Sequence, residues 1–189
     1  ITYMLEGSFR NEDTDGNEST VGQGGLQRIT MGSGIKHSEQ PASEGMTHGI
    51  QLWVNLPRDL KGVEPSYEVL PAEELGVKRN NSVREKILVD SDAGPEVQAE
   101  IGYRDIIVEN SEWIWSREGR VNQLLYILKG NVTISVDSKQ LEVNKGQAAI
   151  KGLEVGLEPT ILVEGTAQFI ALRGKPLGEP INQRGSSVA

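Results

Sequence analysis

Tyr3-Met4-Leu5-Glu6-Gly7 returns, in pattern, as Tyr126-Ile127-Leu128-Lys129-Gly130. In each copy an alternating strand runs into a glycine and a polar hairpin follows. A second glycine, Gly25 in the first copy and Gly146 in the second, then opens another strand. Each copy must bury an apolar face of its own, so a chain of 189 residues built this way has few architectures open to it. The expectation is all-β, with two antiparallel barrels of jelly-roll type in tandem. Valine, isoleucine and leucine dominate the apolar set, and 22 glycines supply turns, as such sheets require.

Residues 25–39, GLQRITMGSGIKHSE, carry the candidate chemistry. In an extended segment side chains alternate, so Leu26, Arg28 and Thr30 share one side and Gln27, Ile29 and Met31 the other. Gly32, Ser33 and Gly34 then turn the chain sharply, since glycine reaches positive φ without steric cost. The same alternation sends His37 and Glu39 to one face. An imidazole and a carboxylate so placed can grip one divalent metal, and their mixed donors suit iron, manganese, nickel or copper better than calcium. An H-x-E pair serves equally as a solvated surface pair, and a catalytic metal takes more than two protein donors. The only other histidine is His48, and there is no cysteine. From these residues alone both readings stand.

Asn11 to Ser19 reads as an acidic hairpin tip with Asp15-Gly16 at its turn. It lacks the spaced ligands of an EF-hand loop, so it is expected to be a solvated turn. Gln40 to Thr47 is a polar loop leading to His48, either a ligand contact at a barrel mouth or a loop histidine bonded to backbone or water. The strand Ile50–Leu56 carries Trp53, expected in the core or between domains. Pro57 to Pro71 reads as a linker with short extended pieces. Val83 to Asp90 and Asp105 to Glu109 read as strands, and Trp113-Ile114-Trp115 as a packing segment between domains. The second copy has no histidine. Its position equivalent to His37 falls near Glu158, so this half is expected to be metal-free and structural. The expected divisions are 1–70, a linker with shared strands at 71–100, 101–181, and a tail at 182–189.

Asp and Glu number 27 against 19 Lys and Arg, a net charge of −8. Such a field repels phosphate backbones and anionic membranes, which argues against direct nucleic-acid or membrane binding. Without cysteine there is no disulfide, Cys-bound zinc or thiol catalysis. No apolar run approaches the ~20 residues that span a bilayer. A cytoplasmic location is expected, or a nuclear one in a eukaryote.

ITYMLEGSF (1–9), GLQRITMGSGIKHSE (25–39) and GIQLWVNLP (49–57) resemble, in order and spacing, the signature segments of the pirin family; GKPLGEPI (174–181) adds to the match. Pirins are two-domain proteins of the cupin superfamily. The resemblance implies one metal, usually taken to be iron, held in the N-terminal cupin by three histidines and a glutamate. His37 and Glu39 match the third histidine and the glutamate. The other two belong to an H-P-H segment ahead of the T-Y-x-L-E-G strand, and the chain begins inside that strand. The expectation is a fragment whose N-terminal cupin and metal site are incomplete as given. The resemblance further implies a quercetin 2,3-dioxygenase-type reaction on a flavonol-like small molecule, with Glu39 as metal ligand and proton acceptor. The alternatives are a metal-dependent transcriptional co-regulator that binds a protein partner, or a metal-free scaffold.

Overall fold

Apolar and polar residues alternating between glycine breaks give β-structure along almost the whole chain. The computed structural model describes all residues except 92, 117–120, 153–157, 181, 182, 185, 186 and 189, with backbone alone for 183, 184, 187 and 188. Two compact units result: residues 1–75, 94–99 and 177–189 form the first, and residues 76–93 and 100–176 the second. All pairings between described strands are antiparallel.

The first unit contains β1 (Thr2–Glu6), β2 (Phe9–Asp13), β3 (Glu18–Val21), β4 (Leu26–Thr30), β5 (His37–Pro41), β6 (His48–Gln51) and β7 (Ser66–Leu70). They form a four-stranded sheet, β6-β1-β4-β7, and a three-stranded sheet, β3-β2-β5. Met4, Phe9 and Val21 make its core, with Val69 against them. Tyr3 and Met4 are both buried, so β1 is covered on both faces and simple alternation does not describe it. The segment expected as a linker holds β7, paired with β4 from Leu26↔Leu70 to Thr30↔Ser66. Asp15-Gly16 does turn the acidic hairpin: Gly16 has φ +82°, and the Asp13 carboxylate accepts the backbone N–H groups of Asp15 and Asn17. Of the expected tail, residues 182, 185, 186 and 189 lie outside the described residues.

The second unit contains β8 (Val77–Arg79), β9 (Val83–Val89), β10 (Ile101–Ile114), β11 (Asn122–Lys129), β12 (Asn131–Val136), β13 (Lys139–Asn144), β14 (Ala148–Lys151) and β15 (Thr160–Gly174). β10 and β15 pair along nearly their full length and break register together. There Asn110 (φ +42°) accepts the Gly165 N–H (φ +81°) at 2.8 Å. Before this bend β15 pairs with β12, and after it with β11, so one strand joins both walls. Ile106, Leu125, Ile127, Ile134, Ile161 and Phe169 fill the interior. Trp115 is buried in this cluster, and Trp113 meets Phe169 edge-on at 5.6 Å. The tryptophan segment expected between domains therefore packs within the second unit.

The duplication is visible bond by bond. Met4 donates to the Gly25 carbonyl and accepts from Gly24 N–H; Ile127 donates to the Gln147 carbonyl and accepts from Gly146 N–H. Gly146 is thus the counterpart of Gly24, one residue earlier than the sequence suggests. Gly7 and Gly130 match as well, at φ +72° and +70°. A Cβ would strike the Met46 carbonyl oxygen at the first and the Thr166 carbonyl oxygen at the second, so glycine is required twice for the same reason.

Candidate metal centre

Along β2, Phe9 and Asn11 are buried while Arg10 and Glu12 face solvent, where Arg10 pairs with Glu12 and Glu18. β5 runs beside β2 with Asn11↔Glu39 and Asp13↔His37 directly opposed. Opposed residues share a face, so His37 and Glu39 lie on the inner face with Phe9 and Asn11. His37 is half-buried, and its Nδ1 is 2.8 Å from Asn11 Oδ1. An amide oxygen can only accept, so Nδ1 carries the proton and the Nε2 lone pair is available to a metal.

Glu39 stands differently from what an enclosed barrel suggests: it is exposed, on β5 at the edge of its sheet. Gln51 Nε2 donates to both of its carboxylate oxygens, at 3.1 and 3.0 Å. Gln51 Oε1 in turn accepts the Trp53 indole N–H at 2.9 Å. Trp53, expected in a core or between domains, is 72% exposed and acts as the outer prop of this row. His48 is exposed and begins β6 instead of ending a loop. Among the described residues no group of three or more His, Cys, Asp or Glu could hold a metal, so His48 does not join His37 and Glu39.

Amides that sequence reasoning passed over line the same interior. Gln27 Nε2 donates to Ser19 Oγ at 2.6 Å, Gln27 Oε1 is buried with no hydrogen-bond partner among the described residues, and the buried Asn11 amide lies beside the Tyr67 hydroxyl. Desolvation would raise the Asp13 carboxyl, but the Tyr67 hydroxyl beside it and bonds from Asn17 and Asp15 outweigh that and hold it at about 2. Desolvation and the nearby Asp13 push the Tyr67 hydroxyl up to about 12. The signal for Asn11 was its spacing from Phe9, two residues along one strand; the acidic residues around it disguised that strand as a hairpin tip.

The second barrel shows what the fold holds without these groups. Counting from Gly7 and Gly130, Asn11 corresponds to Ile134, and Ile134↔Ile161 replaces Asn11↔Glu39. Pro159, rather than Glu158, then stands for His37. Ile134 and Ile161 are both buried. The fold is content with hydrocarbon at these positions, so the polar set in the first barrel is not needed for folding.

A family profile described as Pirin matches residues 1–54, and one described as Pirin C-terminal cupin domain matches residues 103–189. The chain is 32% identical over 199 residues to a pirin-like protein of Caulobacter vibrioides, covering 100% of this chain and 69% of that protein. The chain belongs to the pirin family. This pirin spans 65–69% of the length of the first curated relatives it matches. Its fold is shared with a quercetin 2,3-dioxygenase from Acinetobacter baumannii, at 24% identity and a TM-score of 0.86 over 99% of this chain and 68% of that one. It is also shared with a bacterial pirin from Escherichia coli in complex with nickel(II), at 22% identity and a TM-score of 0.73 over 93% and 71%. At such identities the likeness establishes the cupin architecture. No helix among the described residues is long and apolar enough to cross a membrane.

Proposed function

We propose that the complete protein is a metal-dependent dioxygenase of the quercetin 2,3-dioxygenase type, with His37 and Glu39 as two ligands of a single divalent metal. The observation that carries this is the His37–Asn11 bond. A buried amide grips Nδ1 and leaves Nε2 on the same face as a carboxylate, the arrangement in which ligating imidazoles are oriented by a second partner. Iron is the metal the family suggests, and manganese, nickel or copper would suit the same donors. Two further imidazoles from residues ahead of β1 would complete the set. The dioxygenase and the nickel(II) complex with the same fold add support through architecture alone.

When bound, such a metal supplies a Lewis-acidic, redox-active centre for a flavonol oxygen and for dioxygen. The remaining work belongs to the chain. Glu39 accepts the flavonol hydroxyl proton on a carboxylate oxygen, leaving the substrate oxygen anionic. Gln51 and Trp53 hold that carboxylate in place, and the inward amides of Asn11 and Gln27 are polar atoms able to meet a hydroxylated ligand.

Elemental analysis of the full-length protein, followed by anaerobic flavonol binding and admission of oxygen, tests this. Bound metal with turnover supports the dioxygenase. Bound metal without turnover favours the second reading, a regulator that docks on a basic protein, for which the net charge of −8 is the supporting observation. Absence of metal from the full-length protein would leave a scaffold.

A further inference from the structure

Two rows of side chains face each other inside the first unit. Gln51, Thr2, Gln27 and Val69 lie opposite one another on β6, β1, β4 and β7, and Ser19, Asn11 and Glu39 on β3, β2 and β5. Gln51 donates to Glu39 and Gln27 to Ser19, so both rows point into the space between the two sheets. Solvent reaches that space. Thr2, Tyr67 and His37 face it and are only half-buried, whereas Leu125, Ile161 and Phe169 inside the second barrel are fully buried.

Most of the polar groups here are already engaged. Asn11 gives its oxygen to His37 and has its amide beside the Tyr67 hydroxyl, and both Glu39 oxygens accept from Gln51. Gln27 differs. It is 1% exposed; one end of its amide is bonded to Ser19, and the other is buried with no hydrogen-bond partner among the described residues. An amide end left in that state costs stability. The second barrel shows that the fold does not ask for it. Counting from Gly24 and Gly146, Gln27 corresponds to Ala149, and the pair Thr2↔Gln27 becomes Leu125↔Ala149. Gln51 of the same row becomes Ala171, but Gln51 is occupied at Glu39. A costly open group that the fold can do without, one row from the candidate metal ligands, points to a part in binding.

We propose that Gln27 is a specificity-determining residue that bonds a second hydroxyl of the substrate, apart from the oxygen the metal takes, and so selects a polyhydroxylated aromatic. A hydroxyl both donates and accepts, so it satisfies either end of an amide. This inference rests on the metal-centred reading above. The probes are quercetin and 3-hydroxyflavone, which share the hydroxyl and ketone that a metal takes, while only quercetin carries further hydroxyls. Each is titrated without oxygen into the metal-loaded full-length protein, and binding is followed by flavonol absorbance. The unsubstituted protein should prefer quercetin by at least about tenfold, since a site with a buried polar group penalises a ligand that leaves it unmet. Gln27→Met, close in shape and without the amide, should remove most of that preference by weakening quercetin while 3-hydroxyflavone binds as before. Equal affinities in the unsubstituted protein would mean that water satisfies the amide, and a full preference kept by Q27M would place the selection elsewhere; either overturns the role of Gln27 and leaves the metal centre standing. Failure of both flavonols to bind would instead remove the metal-centred reading, and this inference with it. Should Q27M not fold, Gln27→Ala, the residue type of the second barrel, takes its place.

Discussion

His37 Nδ1 and Asn11 Oδ1 meet at 2.8 Å across the diagonal of the β2–β5 pair, and Asn11 is only 1% exposed. A buried amide fixes one nitrogen of a ring that would otherwise choose between tautomers. Asn11→Leu should therefore lower metal affinity of the full-length protein by about 10–100-fold with His37 intact. Asn11→Asp, which keeps an acceptor, should retain most of it. Nickel(II) titration by calorimetry measures both; equal losses in the two variants would mean that the hydrogen bond plays no part.

His37→Ala in the complete protein should abolish metal retention, whereas His48→Ala should leave it nearly unchanged, because His48 is exposed at the start of β6. Metal per protein after gel filtration reports the difference. The same content in both variants contradicts the assignment.

Asp90 gives the second unit an acid-sensitive lock. Desolvation would raise its carboxyl, but Arg104, the Ser91 backbone N–H and Arg173 together hold it at about 2, below the ordinary 3.8. A group whose folded pKa is depressed contributes stability above its unfolded pKa and loses it as pH falls toward the folded value. The melting temperature should accordingly fall between about pH 4 and pH 2. Asp90→Asn should melt lower at pH 7 and show a shallower fall over that interval; parallel curves for the two proteins would argue against this source of stability.

Two glycines separate strain from collision. Gly146 has φ +81° with open space around its missing Cβ, so Gly146→Ala should cost about 1–2 kcal/mol from the left-handed backbone alone. Gly130→Ala adds overlap with the Thr166 carbonyl and should cost clearly more. Urea midpoints of the two variants, compared at equal m-value, give the order.

The doubled strand–glycine–strand pattern was legible because backbone demands repeat: Gly7 and Gly130 must each be glycine, and Met4 and Ile127 make the same pair of bonds. His37 and Glu39 could be placed on one face because alternation in a strand is strict. What alternation does not carry is depth. Glu39 is exposed on a strand with a neighbour on one side only, and Trp53 is exposed with its indole N–H on Gln51 instead of filling a core. Both facts depend on which strands pair at long range. Asn11 was hidden for a different reason, since a polar residue flanked by acids looks like turn in sequence even when it is the most buried residue of its strand.

The exchange of Asn11 and Glu39 for Ile134 and Ile161 has a consequence for how the molecule comes apart. Inward amides whose hydrogen bonds are incomplete weaken a sheet interior, and an unbroken aliphatic filling strengthens one. On warming, the half equipped for chemistry should loosen first, while its hydrocarbon-filled twin stays folded as the more durable half of the chain.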